Sequence, residues 1–219
     1  MTVHGNRSLD ESRFISLWKR AGSSASKIRA RAIFHGIDGR YREPHRRYHT
    51  RGHIVHCLCQ LDTLSQDDPD KLAVELALWF HDVVYEIGDP NNEENSADWF
   101  RARAMDDLPE ALIDAVCAMI IATVHQAPPT NRRAALTVDI DLSSFGLPYA
   151  AFIRDSQAVR DESPHLSDNL FYQGQRAFLE RLTMRDQIFT SDHFNTRLEA
   201  RARDNIAKTL EMIKRRFSV

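Results

Sequence analysis

Apolar residues recur along much of the chain with the spacing of helices. From about residue 52 they fall three or four positions apart, at Ile54, Leu58, Leu61 and Leu64, and this spacing places them on one face of a helix. Residues 72–84 are apolar nearly all round. A helix without a polar face is typical of a core position, so this segment is predicted to lie at the centre of a helical bundle.

Capping residues and chain-breaking residues bound the other predicted helices. Ser8, with Glu11 three residues later, forms a capping box that predicts the start of a first helix. Gly36, Gly39 and Pro44 predict that a second helix, which begins near residue 28, gives way to a loop rich in arginine. Further helices are predicted over residues 93–105, 109–125, 149–161, 169–182 and 194–217.

Strand-like alternation is confined to the segment from Val138 to Leu142. Five residues cannot separate a strand from the first turn of a helix, and the predicted fold class is therefore all-α. A chain of 219 residues can bury roughly 70% of the surface that it exposes when unfolded. We predict one domain over residues 1–219, with a motif-bearing core at about 41–146 and flanking helices within 8–36 and 148–217.

Composition narrows the classes of partner. The formal net charge of −2 gives no general attraction for long nucleic acid or an anionic membrane. No window approaches the roughly 20 consecutive apolar residues of a membrane span, and no apolar stretch of a secretory signal follows the first residues. We expect a cytoplasmic protein. The three cysteines match no zinc or disulfide framework and are expected to be buried thiols.

Histidines are concentrated before and within the helix that begins near residue 52. His45, His49, His53 and His56 fall within twelve positions. On a helix, His49 and His53 share a face and could converge on one metal ion, because neutral imidazole is a common metal ligand. A solvent-exposed group of histidines is the alternative interpretation.

The adjacent pair His81 and Asp82 follows the apolar run Leu78, Trp79 and Phe80. Burial of an ionised aspartate costs several kcal/mol unless the carboxylate is paired or binds a cation. The pair is therefore predicted to bind a divalent metal, the alternative being a helix end near solvent. Mixed nitrogen and oxygen ligands suit manganese, iron, zinc, cobalt or nickel better than calcium.

Two more aspartates, Asp139 and Asp141, lie between apolar residues further along the chain. Either is a candidate to complete the ligand set. The alternative is an N-cap for the helix that follows, since aspartate is favoured at that position. Spacing does not separate the two aspartates.

These motifs resemble the HD-domain superfamily of metal-dependent phosphohydrolases, and more narrowly a bacterial branch of predicted HD metal hydrolases. The resemblance rests on the strings RYHT at 47–50 with His53, WFHD at 79–82, NEE at 92–94 and DIDL at 139–142. It implies one divalent metal ion held by four ligands: His53, His81, Asp82 and Asp141. Magnesium is a further candidate for this ion. His56 stands where the family usually has an arginine, so His49 remains an alternative ligand, as does Asp139.

The resemblance also implies an activity, the hydrolysis of a small phosphate ester or nucleotide by a metal-activated water. The enzyme would be a phosphomonoesterase or a phosphodiesterase. Asp82, Glu93 and Glu94 are then the candidates to orient or deprotonate the water. The alternative for the two glutamates is the first turn of a helix, where carboxylates complement the helix dipole.

Substrate contacts are predicted at Arg47, His49 and His125. Arg47 belongs to a set of five arginines within twelve residues, and guanidinium groups bind phosphate through paired hydrogen bonds; a solvated surface is the alternative. His125 falls where two-metal members of the superfamily carry additional histidines. Two other functions stay open, a non-catalytic metal or nucleotide sensor and a di-iron HD-type oxygenase, and so does assembly into a homo-oligomer.

Overall fold

The structure is a computed structural model that describes residues 9–22 and 26–217, and its regular elements are helices. The ten α-helices in those two ranges are α1 Glu11–Arg20, α2 Lys27–Arg40, α3 Arg51–Leu61, α4 Lys71–Phe80, α5 Asn92–Ala104, α6 Glu110–Ala122, α7 Arg132–Asp141, α8 Tyr149–Asp161, α9 Asp168–Thr183 and α10 Asp192–Arg216. A 3-10 turn, Leu142–Gly146, joins α7 to the segment before α8. No strand occurs within the described ranges, and the all-α prediction is confirmed.

Helix α4 lies at the centre of the bundle, as its apolar sequence predicts. It packs against α1, α3, α5, α6 and α7, and every residue from Ala73 to Phe80 is buried. Glu75, the one acidic residue in this stretch, is paired with Arg13 at 2.6 Å. Packing in the core therefore fixes the C-terminal end of α4. It also fixes the backbone of His81 and Asp82, which follow Phe80 directly.

Several predicted helix boundaries differ in the structure. Helix α4 ends at Phe80, before the predicted Val84, and α6 ends at Ala122, before the predicted His125. The cap of α1 is Asp10, whose carboxylate accepts a hydrogen bond from Arg13 N at 3.1 Å; the predicted cap Ser8 lies outside the described residues. Helix α2 runs through Gly36 and Gly39 to Arg40, so the predicted break at these glycines is wrong. Gly36 faces the ring of Trp99, which an added Cβ would approach to 3.4 Å, and packing thus maintains the helix where propensity alone favours a break.

The segment Val138–Leu142 is neither a strand nor the first turn of a helix. It lies across the C-terminal end of α7, which begins at Arg132 within the region predicted to be a loop. Asn131 caps that helix by accepting a hydrogen bond from Ala134 N at 3.0 Å. The alternation of apolar and acidic residues corresponds to the last turn of a helix that packs against neighbours on several sides.

The C-terminal helices are attached to this core through the 3-10 turn. The turn packs against α7, α8 and α10, and α9 packs against α10. Gly146 permits the close approach, because a Cβ there would lie 2.7 Å from Leu198 Cβ. Helix α9 buries only Leu179 and Leu182. In the part of the chain that the structure describes, no helix is long and apolar enough to cross a membrane.

Candidate metal centre and adjoining pocket

Helix α3 places His53 in the protein interior. The helix begins after Thr50, whose side chain caps it by accepting from Gly52 N at 3.2 Å. His53 lies in the first turn and is fully buried. His56, one turn further, is also buried and lies 2.9 Å from the hydroxyl of Ser143 in the 3-10 turn. These contacts fix α3 against the end of α7.

The pair His81 and Asp82 occupies the turn directly after α4, not the helix itself. Carbonyls at a helix C-terminus have no partner within the helix, and here side chains supply the donors. Arg46 donates to the carbonyls of Asp82 and Val83 at 2.7 and 3.2 Å, and Ser96 donates to Val84. The backbone that carries the pair is therefore held by hydrogen bonds from two neighbouring segments.

Asp141 is the last residue of α7 and has a second histidine beside it. His125 Nε2 lies 2.9 Å from Asp141 Oδ2, and its N–H donates a hydrogen bond to this carboxylate oxygen. His125 has a φ of 58°, an uncommon conformation for a residue with a side chain. Its Nδ1 is buried and has no hydrogen-bond partner among the described residues.

The side-chain atoms of four residues from three separate segments meet at one point. His53 Nε2 and His81 Nε2 are 3.1 Å apart. Asp82 Oδ2 lies 3.4 Å from His53 Nε2 and 3.0 Å from His81 Nε2, and Asp141 Oδ1 lies 3.1 and 3.4 Å from the same two nitrogens. Imidazole nitrogens and carboxylate oxygens grouped in this way are the kind of atoms that hold a metal ion in proteins.

A cysteine adjoins this cluster of four residues. Cys57 follows His53 by one helical turn, and its sulfur lies 3.7 Å from His53 Nε2. The ligand-type atoms of His53, Cys57, His81 and Asp141 all lie within 4.8 Å of one another. Burial raises the pKa of the Cys57 thiol well above its usual value. Asp82 Oδ2 lies 3.4 Å from His53 Nε2, against 3.7 Å for the Cys57 sulfur, so both Asp82 and Cys57 are candidates for the fourth ligand.

The cluster of four is electrostatically prepared for a cation. Burial opposes the charge on His81, yet the carboxylates of Asp82 and Asp141 outweigh it and raise the pKa of His81 well above its usual value. The pKa of each of the two carboxyls is lowered, although burial opposes that as well, because of the nearby imidazoles. Asp82 Oδ2 is shielded from solvent and accepts no hydrogen bond from any residue that the structure describes.

The tautomer of His81 also fits a metal ligand. Its Nδ1 lies 3.1 Å from the carbonyl of Leu78 and donates to it, which leaves Nε2 unprotonated when the imidazole is neutral. A backbone carbonyl in this role is the usual partner that orients a metal-bound histidine. Two features make these residues suited to a divalent ion. Asp82 Oδ2 is shielded from solvent without a hydrogen bond from the described residues, and a backbone carbonyl orients the imidazole of His81.

His49 lies beside the cluster but is held by a different partner. Its Nδ1 donates to Glu162 Oε2 at 2.6 Å, and its ring stacks on Tyr85 at 4.2 Å between centroids. Glu162 Oε1 accepts from the backbone N–H groups of Arg47, Tyr48 and His49. Burial opposes the ionisation of both side chains. Their hydrogen bond nevertheless lowers the pKa of Glu162 to about 2, and Asp82 together with Glu162 raises that of His49.

A pocket of about 470 Å³ opens on the cluster, within the range of small-molecule sites. Asp141, the one residue of the cluster in its lining, lies there together with His49 and His125. Its walls come from the 3-10 turn, α8 and α9 and are mainly apolar, with Phe145, Phe152, Val159, Leu166, Leu170, Phe171, Phe178 and Leu179 among the lining residues. The polar side chains of the walls are neutral except for Asp155: they are Tyr48, Ser144, Ser156, Ser163 and Gln175. The pocket therefore joins a charged end to an apolar body.

The predicted site residues divide into those that the structure brings together and those that it does not. His53, His81, Asp82 and Asp141 form the cluster, and His49 and His125 line the pocket. Glu93 is partly buried near them, and burial, with a further contribution from Asp82, raises its pKa.

The other predicted residues lie elsewhere. Glu94 is exposed in the first turn of α5. Arg47 is exposed and donates to the carbonyl of Pro44 at 2.9 Å. Asp139 is buried and accepts from Ser191 N and Thr190 N at the start of α10. The last contact resembles the capping alternative, although the capped helix is not the next one along the chain.

Three residues of the site carried no predicted role there. Arg46, a neighbour of Arg47, is the buried arginine of the loop. Nothing in the sequence distinguishes the two. Glu162 acts on a residue 113 positions away, a distance at which no local pattern gives a signal. Cys57 lies one turn after His53 on the same helix face, and that spacing could have placed it at the cluster.

The chain was compared with protein-family models, with curated proteins and with solved structures, and none of them matches it.

Proposed function

We propose that this protein is a metal-dependent phosphohydrolase of the HD type that acts on a small phosphate ester. The observation that carries the proposal is the convergence of His53, His81, Asp82 and Asp141, with distances of 3.0–3.4 Å between imidazole nitrogens and carboxylate oxygens. The order of these residues along the chain is that of the HD motif. The adjoining pocket gives an ester access to the same point.

Bound at the cluster, a divalent ion would supply Lewis-acid polarisation of a phosphoryl oxygen and would lower the pKa of a bound water. The chain contributes the rest. His49, oriented by Glu162, presents its Nε2 to the pocket and can donate a hydrogen bond to a phosphoryl oxygen or a proton to the leaving group. Glu93, with its raised pKa, is the carboxylate suited to accept a proton from water.

The first experiment measures metal content and hydrolysis together. Purified protein should contain close to one transition metal ion per chain after loading with manganese, cobalt or nickel. It should hydrolyse members of a panel of phosphomonoesters, phosphodiesters and nucleotides. His81→Ala should lose both the metal and the activity. His165→Ala is the matched control, because His165 is exposed and no ligand of the cluster.

The results also separate this proposal from its rivals. Wild-type protein that binds no divalent metal and is unaffected by His81→Ala would overturn it. A metal-loaded protein that hydrolyses nothing on the panel would favour a sensor. Two iron ions per chain would favour oxygen chemistry. The cluster supports one ion, because His125 is the single further imidazole in contact with its carboxylates among the described residues.

A further inference from the structure

The walls of the pocket carry no positive charge. None of the described residues that line it is a lysine or an arginine. Two arginines lie against rings of the lining. Arg160 lies over Phe171 and donates to the carbonyls of Ser163 and Leu166, and Arg181 lies over Phe178 at 5.8 Å from the ring centroid. An anionic group can be neutralised at the cluster and at His49, but a second anionic group further along the pocket meets no lysine or arginine among the lining residues.

Two acceptor groups reinforce this asymmetry. Gln175 donates to Ser156 at 2.7 Å, and its Oε1 is shielded from solvent without a hydrogen-bond partner among the described residues. Asp155 lines the same region and is buried. A buried acceptor without a donor is costly, so the wall near Gln175 favours a donor or a neutral group on the ligand and disfavours an anion.

Most of the remaining surface of the pocket is aromatic and aliphatic, with the hydroxyl groups of Ser144 and Ser163 between the apolar side chains. Phe145, Phe171 and Phe178 contribute rings, and the rings of Phe145 and Phe152 lie 5.2 Å apart. Phe171 and Phe178 on α9 are only partly buried, so they retain surface for a ligand to cover. A flat ring system between such side chains removes apolar area from water on both sides.

We infer that the substrate is a phosphate ester whose organic part is an apolar ring system without a second anionic group. This inference rests on the proposed function for the phosphoryl end, and on the pocket walls for the organic end. It excludes nucleoside diphosphates and triphosphates and sugar bisphosphates, which place several negative charges away from the scissile bond.

The test uses non-hydrolysable phosphonates with the manganese-loaded protein and isothermal titration calorimetry. Phenylphosphonate and methylphosphonate share the phosphonate group and differ only in the organic part. We expect phenylphosphonate to bind about ten- to a hundredfold more tightly, the range that burial of a phenyl-sized group gives. 3-Carboxyphenylphosphonate should lose most of that gain.

Gly174 supplies a matched pair of variants. It lines the pocket on α9, and a Cβ at this position would have no atom within 4 Å. Gly174→Ala should therefore keep the preference for phenylphosphonate. Gly174→Phe fills the pocket and should bring the two affinities close to equality, without changing metal content or the affinity for methylphosphonate. Gly174→Leu repeats the test with a smaller side chain should the phenylalanine variant not fold.

Each outcome bears on one proposal. Equal affinities in the wild type, no binding of either phosphonate, or a preference that persists in both bulky variants would overturn the substrate class. A clear preference for phenylphosphonate in a protein that hydrolyses no phosphoester would overturn the hydrolase and leave the pocket assignment standing. Hydrolysis that is as rapid with glycerol 3-phosphate as with 1-naphthyl phosphate would contradict the assignment alone.

Discussion

The metal cluster and the pocket wall are adjacent, yet they are built in opposite ways. The imidazoles of His53 and His81 are almost fully buried, and each ligand is attached to a helix in the centre of the bundle. The wall is formed by α8, α9 and a 3-10 turn, and α9 buries only two residues. The metal cluster is fixed by packing in the core, whereas the pocket wall packs against the outside of the core.

This difference has a physical basis. Ionisable groups that must converge within about 3 Å tolerate little displacement, because charge interactions in a buried site are strong. An apolar wall contributes through area, and area changes gradually with position. We therefore expect substitutions at the cluster to have abrupt effects and substitutions in the wall to have graded ones.

The largest effect is expected for Asp82→Asn. The variant keeps the shape of the side chain but removes the negative charge of the carboxylate whose Oδ2 lies 3.0 Å from His81 Nε2 and 3.4 Å from His53 Nε2. Metal affinity and activity should fall by more than the roughly 100-fold that loss of an outer partner of a ligand causes. Equilibrium dialysis and steady-state kinetics measure the two. A fully active variant with bound metal would end the assignment of Asp82 as a ligand.

The second effect concerns stability. Arg46→Met removes the guanidinium that donates to the carbonyls of Asp82, Val83 and His49, and it leaves Glu43 with Arg40 as its remaining arginine partner. We expect a loss of about 3–5 kcal/mol in the free energy of unfolding, measured with urea. The control Arg47→Ala should change stability by less than about 0.5 kcal/mol. Hydrolysis unaffected by Arg47→Ala would also remove Arg47 as a substrate contact.

Glu162→Gln tests the connection between the two regions. The pKa of Glu162 is lowered from 4.5 to about 2, so its ionised form stabilises the fold above pH 4.5, and this contribution is lost as the pH falls towards 2. The shift corresponds to roughly 3 kcal/mol. The stability difference between wild type and variant should be constant between pH 4.5 and 6.5 and should shrink below that window. It should shrink again at higher pH, as His49, whose pKa is raised by Asp82 and Glu162, loses its proton. A difference independent of pH would contradict a role for the charge.

The smallest effect is expected for Asp139→Asn. Asp139 accepts from the backbone at the start of α10 and from the hydroxyl of Ser191. Loss of one acceptor should cost about 1–2 kcal/mol, measured by thermal unfolding, with metal content unchanged. Loss of metal from this variant, together with normal metal content in Asp141→Asn, would make Asp139 the metal ligand in place of Asp141.

The comparison also explains what could be read from the sequence. His81 and Asp82 were recognisable because ionisable residues rarely follow an apolar helix without a reason, and the helix predicted over residues 149–161 has the bounds of α8. Phe171 and Phe178 have the same helical spacing as core residues, so a pocket wall cannot be told from a core by pattern. The break predicted at the glycines of α2 was wrong because Trp99, which packs against Gly36, is remote in sequence.

Glu162 sets a rule for anyone who redesigns this protein. It lies at the C-terminal end of the wall helix α8, and one carboxylate oxygen holds three consecutive backbone N–H groups of the segment before α3. Side chains of α8 and α9 that face the pocket can be exchanged to admit other ligands. The position of Glu162 has to be conserved in every such library, because any variant that shifts it moves His49 as well.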